Sequence, residues 1–192
     1  NTLKKISEAL ASPTTLPFGQ EELVRPLFNV GNENLQILFV KEFEMVGGKV
    51  FLCSSHAEVF EYIKTLAAVR SWSQVRCQTA HLLDDFQLRN LSFINNESFG
   101  EIDAGITDCE CLIARTGTVV LSSAQSAGRV FPVRTPVHII IAHENQLVCG
   151  FVDAFSWIRN RFPERLPSAL FFASGPSRTG DIEKTLVAGV HG

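Results

Sequence analysis

The longest apolar runs of this chain, Val137–Ala142 and Ala169–Ala173, are each about the length of one β-strand. A bilayer-spanning helix needs about 20 apolar residues, so neither run can cross a membrane. Short apolar runs separated by turn signals and by helix-period segments define layered α/β structure instead. Thr2–Ala11 reads as an amphipathic helix carrying Leu3, Ile6 and Leu10 on one face. A loop bracketed by Pro13 and Pro17 then continues to about Gly31. Asn34–Val46 is helical in pattern and is stopped by Gly47-Gly48, and Lys49–Cys53 follows as a short strand. Ser55 and Glu58 have the spacing of a capping box ahead of Val59, Ile63, Leu66 and Ala67, the clearest helix start in the chain.

Val75–Cys77 is the next expected strand. From Asp103 the texture turns strand-rich: Ala104–Thr107, Leu112–Ala114, Thr118–Ser122 and Val137–Ala142, with Gln146–Cys149 as a further edge strand after a turn at Glu144-Asn145. Val152–Phe162 is expected as a helix, Ala169–Ala173 as a buried strand, Ser174–Gly180 as a loop, and Asp181–Ala188 as a helix closed by Gly189. The expected architecture is one α/β domain with a central mixed sheet flanked by helices. Val137–Ala142 and Ala169–Ala173 are its expected inner strands, and residues 1–30 form an appendage. At 192 residues the chain is long enough for a sizeable core.

Charge and cysteine content narrow the function classes. A net charge of −3 and a single adjacent cation pair, Lys4-Lys5, give no basic face for nucleic acid. Four of the five cysteines (Cys53, Cys77, Cys109, Cys111 and Cys149) lie in or beside apolar runs, as small buried hydrophobes do in a reducing compartment. With no signal-like opening segment, the expectation is a cytoplasmic protein. Cys109-x-Cys111 is too closely spaced for zinc or iron–sulfur ligation, the five histidines show no metal-ligand spacing, and no dinucleotide or P-loop fingerprint occurs. No metal and no cofactor is therefore expected.

The segment most suggestive of chemistry runs from Leu170 to Asp181. A strand enters the loop Ser174-Gly175-Pro176-Ser177-Arg178-Thr179-Gly180 and an expected helix start at Asp181, a recipe for anion binding by backbone N–H groups with Arg178 beside them. The plainer alternative is a helix cap by Ser177 or Thr179. Thr116-Gly117-Thr118 lies between two strand segments, where Gly117 permits a tight turn and close ligand approach, or simply a hairpin corner. Arg129 is an anion contact or a loop charge. Thr107 and Glu110 have capping-box spacing, so Glu110 is expected as a cap, and Asp103, Asp108 and Glu110 lack calcium-loop spacing. His138 is expected as a satisfied, partly buried imidazole.

Thr116–Leu121, Arg129, Pro136, His138, the run Gly175–Glu183 and Gly189-Val190-His191-Gly192 together resemble, in order and spacing, the LUD domain of the lactate-utilization protein C (LutC/YkgG) family. The resemblance is tight over residues 103–192. It implies a three-layer α/β fold of the NagB/RpiA/CoA-transferase-like group and a role in bacterial oxidation of L-lactate to pyruvate beside iron–sulfur partner proteins. The family has an acidic residue where this chain has Arg115, so no carboxylate role carries over to that position. It also continues past Gly192 through a proline into one more apolar strand, expected to be missing here. The leading expectation is an accessory or substrate-handling component that binds a small carboxylate or phosphate through Thr116, Gly117, Thr118, Arg129, Ser177, Arg178 and Asp181, with His191 as the proton-transfer candidate. The alternatives are a stand-alone enzyme on a small phosphorylated or acyl substrate, and a structural adaptor whose motifs hold loops together.

Overall fold

Helix ends in this chain are fixed by local capping chemistry. In the computed structural model, which describes residues 2–11, 34–79, 102–125, 130–176, 178–179 and 187–188, helix α1 is Thr2–Leu10 and α2 is Leu35–Met45. The chain divides into two compact units, Asn1–Asn32 and Glu33–Gly192, and α1 is the described element of the first. All that follows concerns the second. Asn34 caps α2, its side-chain oxygen accepting from the backbone N–H of Gln36 at 2.8 Å. At the other end Gly47 N donates to Glu44 O and Gly48 N to Phe43 O, with Gly47 at φ 96°. That is a Schellman stop, the ending the glycine pair implied.

Lys49–Cys53, expected as a strand, makes no ladder pairing among the described residues. Val50 packs against the α2 cluster and Phe51 against Tyr62, with ring centroids 4.1 Å apart, while Phe51 and Leu52 stay more than half exposed. Helix α3, His56–Arg70, starts at Ser55, whose Oγ accepts from Glu58 N. The reciprocal half of the expected capping box is displaced by one residue. The Glu58 carboxylate accepts from the backbone and hydroxyl of Ser54 rather than from Ser55, and those bonds hold its pKa below the usual carboxylate range.

The strands are β1 Val75–Cys77, β2 Ala104–Thr107, β3 Cys111–Ile113, β4 Thr118–Ser122, β5 His138–Ile140, β6 Leu147–Val148 and β7 Leu170–Ala173. Short helices α4, Phe131–Arg134, and α5, Phe151–Arg161, lie between them. The fold is α/β, with helices flanking the sheets. These seven strands divide between a parallel sheet of order β1-β2-β5 and a mixed sheet of order β6-β3-β4-β7. The chain passes from one to the other over only three residues, Asp108–Glu110.

The four-stranded sheet shows why β3 and β4 are buried along their whole length. Side chains alternate across a strand. Leu112, Val119 and Leu121 meet Phe39 of α2, whereas Cys111, Ile113 and Val120 meet Ala154 and Ile158 of α5. Both faces are covered, and the three layers are α2, sheet and α5. In the parallel sheet, Ile63 of α3 packs with Val75, Cys77, Ala104, Ile106 and Ile141. Phe131 is fully buried, and a Cβ on Gly105 would stand 2.5 Å from its ring, so glycine makes the seat for that ring.

Three further expectations are corrected. Val137–Ala142 and Ala169–Ala173 were read as inner strands, yet β5 and β7 are outermost in their sheets among the described residues and only partly buried. Apolar content marked them, but the inner places go to strands with more neighbours rather than more carbon. The edge strand expected at Gln146–Cys149 exists as β6, but it pairs parallel with β3, and Glu144–Gln146 is one turn of 3-10 helix. Of the helix expected at Asp181–Ala188, residues 181–186 lie outside the described residues and Val187–Ala188 is strand. β9, Val187–Ala188, pairs antiparallel with β8, Arg178–Thr179, in keeping with the β-branched Val187. No helix among the described residues is long and apolar enough to cross a membrane.

Candidate functional site

Strand register brings the Thr116–Thr118 turn and Ser174 to one end of the mixed sheet. β4 and β7 run antiparallel with Val119 opposite Ala173, so the residues just beyond that pair, Thr118 and Ser174, meet. Thr118 is 1 % exposed, and its Oγ1 lies 2.7 Å from Ser174 Oγ and 2.7 Å from Thr116 Oγ1. The buried hydroxyl is thus satisfied within the protein. It fixes the strand-to-loop junction rather than presenting a free donor, while Thr116 is exposed at the turn.

The motif glycines answer to α2. Gly117 sits at φ 53°, and a Cβ there would overlap the backbone of Glu42 and Phe43. Gly175 sits at φ 80°, and a Cβ there would stand 2.5 Å from the Val46 carbonyl oxygen. The close approach that Gly117 permits is made by a helix backbone, and the same helix's C-terminal cap occupies the space beside Gly175.

Arg178 lies in β8, four residues past Ser174. Where a loop was expected, Arg178–Thr179 is a short strand, and the helix start expected at Asp181 lies outside the described residues. Arg129, Ser177, Asp181 and His191 lie outside the described residues.

A cleft of about 1190 Å³ opens beside this junction, bordered by residues 47–53, 135–144 and 172–176 and by side chains of α2 and α3. Its walls are mainly apolar and aromatic, as ligand clefts are. Lys49, His138 and His143 are polar groups on it. His138 Nε2 is 2.7 Å from Thr107 Oγ1, and Phe131 meets the ring edge-on with centroids 6.3 Å apart. Burial pushes the His138 pKa down to about 4, so at neutral pH it is an uncharged imidazole. The expectation of a satisfied histidine is met at His138. Ser174 opens the loop whose later residues were the ligand candidates, and Lys49, read only as the start of a strand, has no local signal for a place on the cleft.

The carboxylates serve the fold. Asp103 accepts from Ser73 N at 2.7 Å and Gln74 N at 2.8 Å, joining the start of β1 to that of β2. Asp108 accepts from Gln125 Nε2. Glu110 is not the cap its spacing with Thr107 suggested, because β2 ends at Thr107 and no helix follows. It is 2 % exposed, accepts from Ser122 Oγ at 2.6 Å, and has Arg161 Nε 2.8 Å from Oε2 without the alignment of a hydrogen bond. All five cysteines are free thiols, and burial raises the pKa of Cys109 and Cys111. Among the described residues no group of three His, Cys, Asp or Glu side chains is arranged to hold a metal ion.

Residues 85–192 match the family model for the LUD domain. The chain is 42% identical over 91 residues to "Lactate utilization protein C" of Shouchella clausii, covering 47% of this chain and 40% of that protein. It is 35% identical over 94 residues to the protein of the same name in Bacillus subtilis, covering 48% and 39%. It is also 35% identical over 104 residues to "Uncharacterized protein NMB1437" of Neisseria meningitidis serogroup B, covering 54% and 44%. The chain thus spans less than half the length of the curated relatives it matches. A crystal structure of a DUF162 family protein from Deinococcus radiodurans superposes with a TM-score of 0.60 at 18% identity, covering 73% of this chain and 86% of that one, a likeness of fold.

Proposed function

This chain belongs to the LUD-domain family, and from that membership we propose that it is an accessory or substrate-handling component of an L-lactate utilization system, binding a small carboxylate or phosphate. The names of the Shouchella clausii and Bacillus subtilis relatives supply the process. The observation that carries the binding reading is the Thr118–Ser174 bond, which joins the Thr116–Thr118 turn to the segment leading into Arg178. In this reading Arg178 and Arg129 hold the anion, with Ser177, Asp181 and the Thr116-Gly117 turn completing the site. Thr118 positions Ser174, and His191 is the proton-transfer candidate. Lys49, on the cleft that also borders Ser174–Pro176, adds a cation the motif did not include. Five free thiols suit a reducing cytoplasm, and the proposed protein partners are iron–sulfur proteins of the same system.

The test is calorimetric titration of the full chain with L-lactate, pyruvate and inorganic phosphate. We expect one of them to bind, and Arg178→Ala to weaken that binding by roughly 1.5–3 kcal/mol, the scale of a lost charge-assisted hydrogen bond, with an unchanged melting curve. No binding by any of the three, or equal binding by the variant, would remove the anion site.

A further inference from the structure

His138 opens β5, and strand register sets it beside Gly105 of β2. Side chains two apart on a strand share a face, so Thr107 stands on the same side as the space that Gly105 leaves. Phe131 fills that space, fully buried, and Thr135 Oγ1 donates to its carbonyl oxygen at 2.7 Å. The imidazole is therefore held twice, edge-on to Phe131 and by Nε2 on Thr107 Oγ1.

That second contact fixes where the ring proton sits. Thr107 is fully buried, and its Oγ1 meets no hydrogen-bonding group other than Nε2 among the described residues. A hydroxyl has one proton to give, and a buried donor left without an acceptor is costly. If Nε2 carried the ring proton and gave it to Oγ1, the Thr107 O–H would have no acceptor. The other tautomer satisfies both groups: Thr107 O–H donates to a bare Nε2, and the ring proton is on Nδ1. Nδ1 makes no hydrogen bond among the described residues, yet it is not among the buried atoms left without a partner. It is open to the cleft that His138 borders.

We infer that His138 is a ligand-binding residue whose Nδ1–H donates to a carbonyl oxygen of an uncharged, largely apolar ligand in this cleft. Three observations select that class. Phe39, Phe43, Tyr62 and Trp72 are on the walls and favour an apolar body. The volume, about 1190 Å³, is that of a cleft for a ligand well above the size of lactate or phosphate. Finally, burial keeps the ring uncharged at neutral pH, and Lys49 and Arg70 on the same cleft are exposed to solvent. A carboxylate brought to Nδ1 would be desolvated without meeting a charge, whereas a neutral carbonyl would not suffer that loss. Thr107 is the positioning residue in this arrangement.

This inference does not rest on the anion site, whose ligand reaches Arg178 and Arg129, and it stands if lactate, pyruvate and phosphate all fail to bind. Its test is NMR of the ring nitrogens in the full chain labelled with nitrogen-15 histidine, at neutral pH. The probes are acetophenone, ethylbenzene, which lacks the oxygen, and benzoate, which carries charge. We expect His138 as the Nδ1–H tautomer, with a smaller share of it in Thr107→Val. Acetophenone should shift the Nδ1 resonance and bind roughly fivefold more tightly than ethylbenzene, the worth of one neutral hydrogen bond. A ring proton on Nε2, or a tautomer that Thr107→Val leaves unchanged, would overturn the inference. So would an Nδ1 resonance that acetophenone moves no more than ethylbenzene does, or tighter binding of benzoate than of acetophenone.

Discussion

His138 holds its imidazole against Phe131 with one nitrogen on Thr107, and that burial has a thermodynamic signature. In the unfolded chain the ring titrates near 6.5, whereas in the fold it titrates at about 4. Between those values the unfolded state binds more protons, so stability rises with pH there. The contribution is complete above about pH 6.5 and is lost as pH falls toward 4, by up to about 3 kcal/mol. Urea midpoints measured from pH 7 to 4.5 are expected to fall steeply for the natural chain and less steeply for His138→Gln; equal slopes would show that this ring is not the group responsible. At this scale the sequence was legible wherever a residue acts on near neighbours: Asn34, Gly47 and Ser55 sit where their side chains or φ values require. It misled at Glu110, whose spacing from Thr107 imitates a capping box while its partners, Ser122 and Arg161, come from distant segments.

Elements were legible in their existence more than in their place. Helices α2, α3 and α5 and strands β1, β2 and β4 stand close to where periodicity and turn residues put them. Which strand lies inside a sheet is decided by partners far along the chain, so β5 and β7 look innermost by composition and stand at edges among the described residues. The candidate site shares that dependence. Thr118 and Ser174 meet only through the β4–β7 register, and no local pattern encodes it. What the motif glycines do was also hidden, since α2 is distant in sequence from both. Gly117→Ala tests their packing role. The left-handed φ costs roughly 1–2 kcal/mol and the overlap with α2 a further 1–3 kcal/mol, so a loss of roughly 2–5 kcal/mol is expected by urea denaturation. A loss under about 0.5 kcal/mol would mean that α2 does not rest on this turn.

For the whole molecule, the division at Asn32 makes a prediction about autonomy. The three described hydrophobic clusters lie entirely within Glu33–Gly192. A chain beginning at Glu33 should therefore melt cooperatively, with Tm within the roughly 2–4 °C that 1 kcal/mol is worth at this size. Loss of the cooperative transition in scanning calorimetry would show that residues 1–32 are part of the folding unit. The pairing of Val119 with Ala173 sets one more condition, this time on synthesis. A ribosome delivers β3 and β4 well before β7, so the nascent chain carries an open strand edge until Leu170–Ala173 emerge. Translation speed between those two points, and whatever chaperone meets the chain there, therefore governs how much of it reaches the sheet rather than an aggregate.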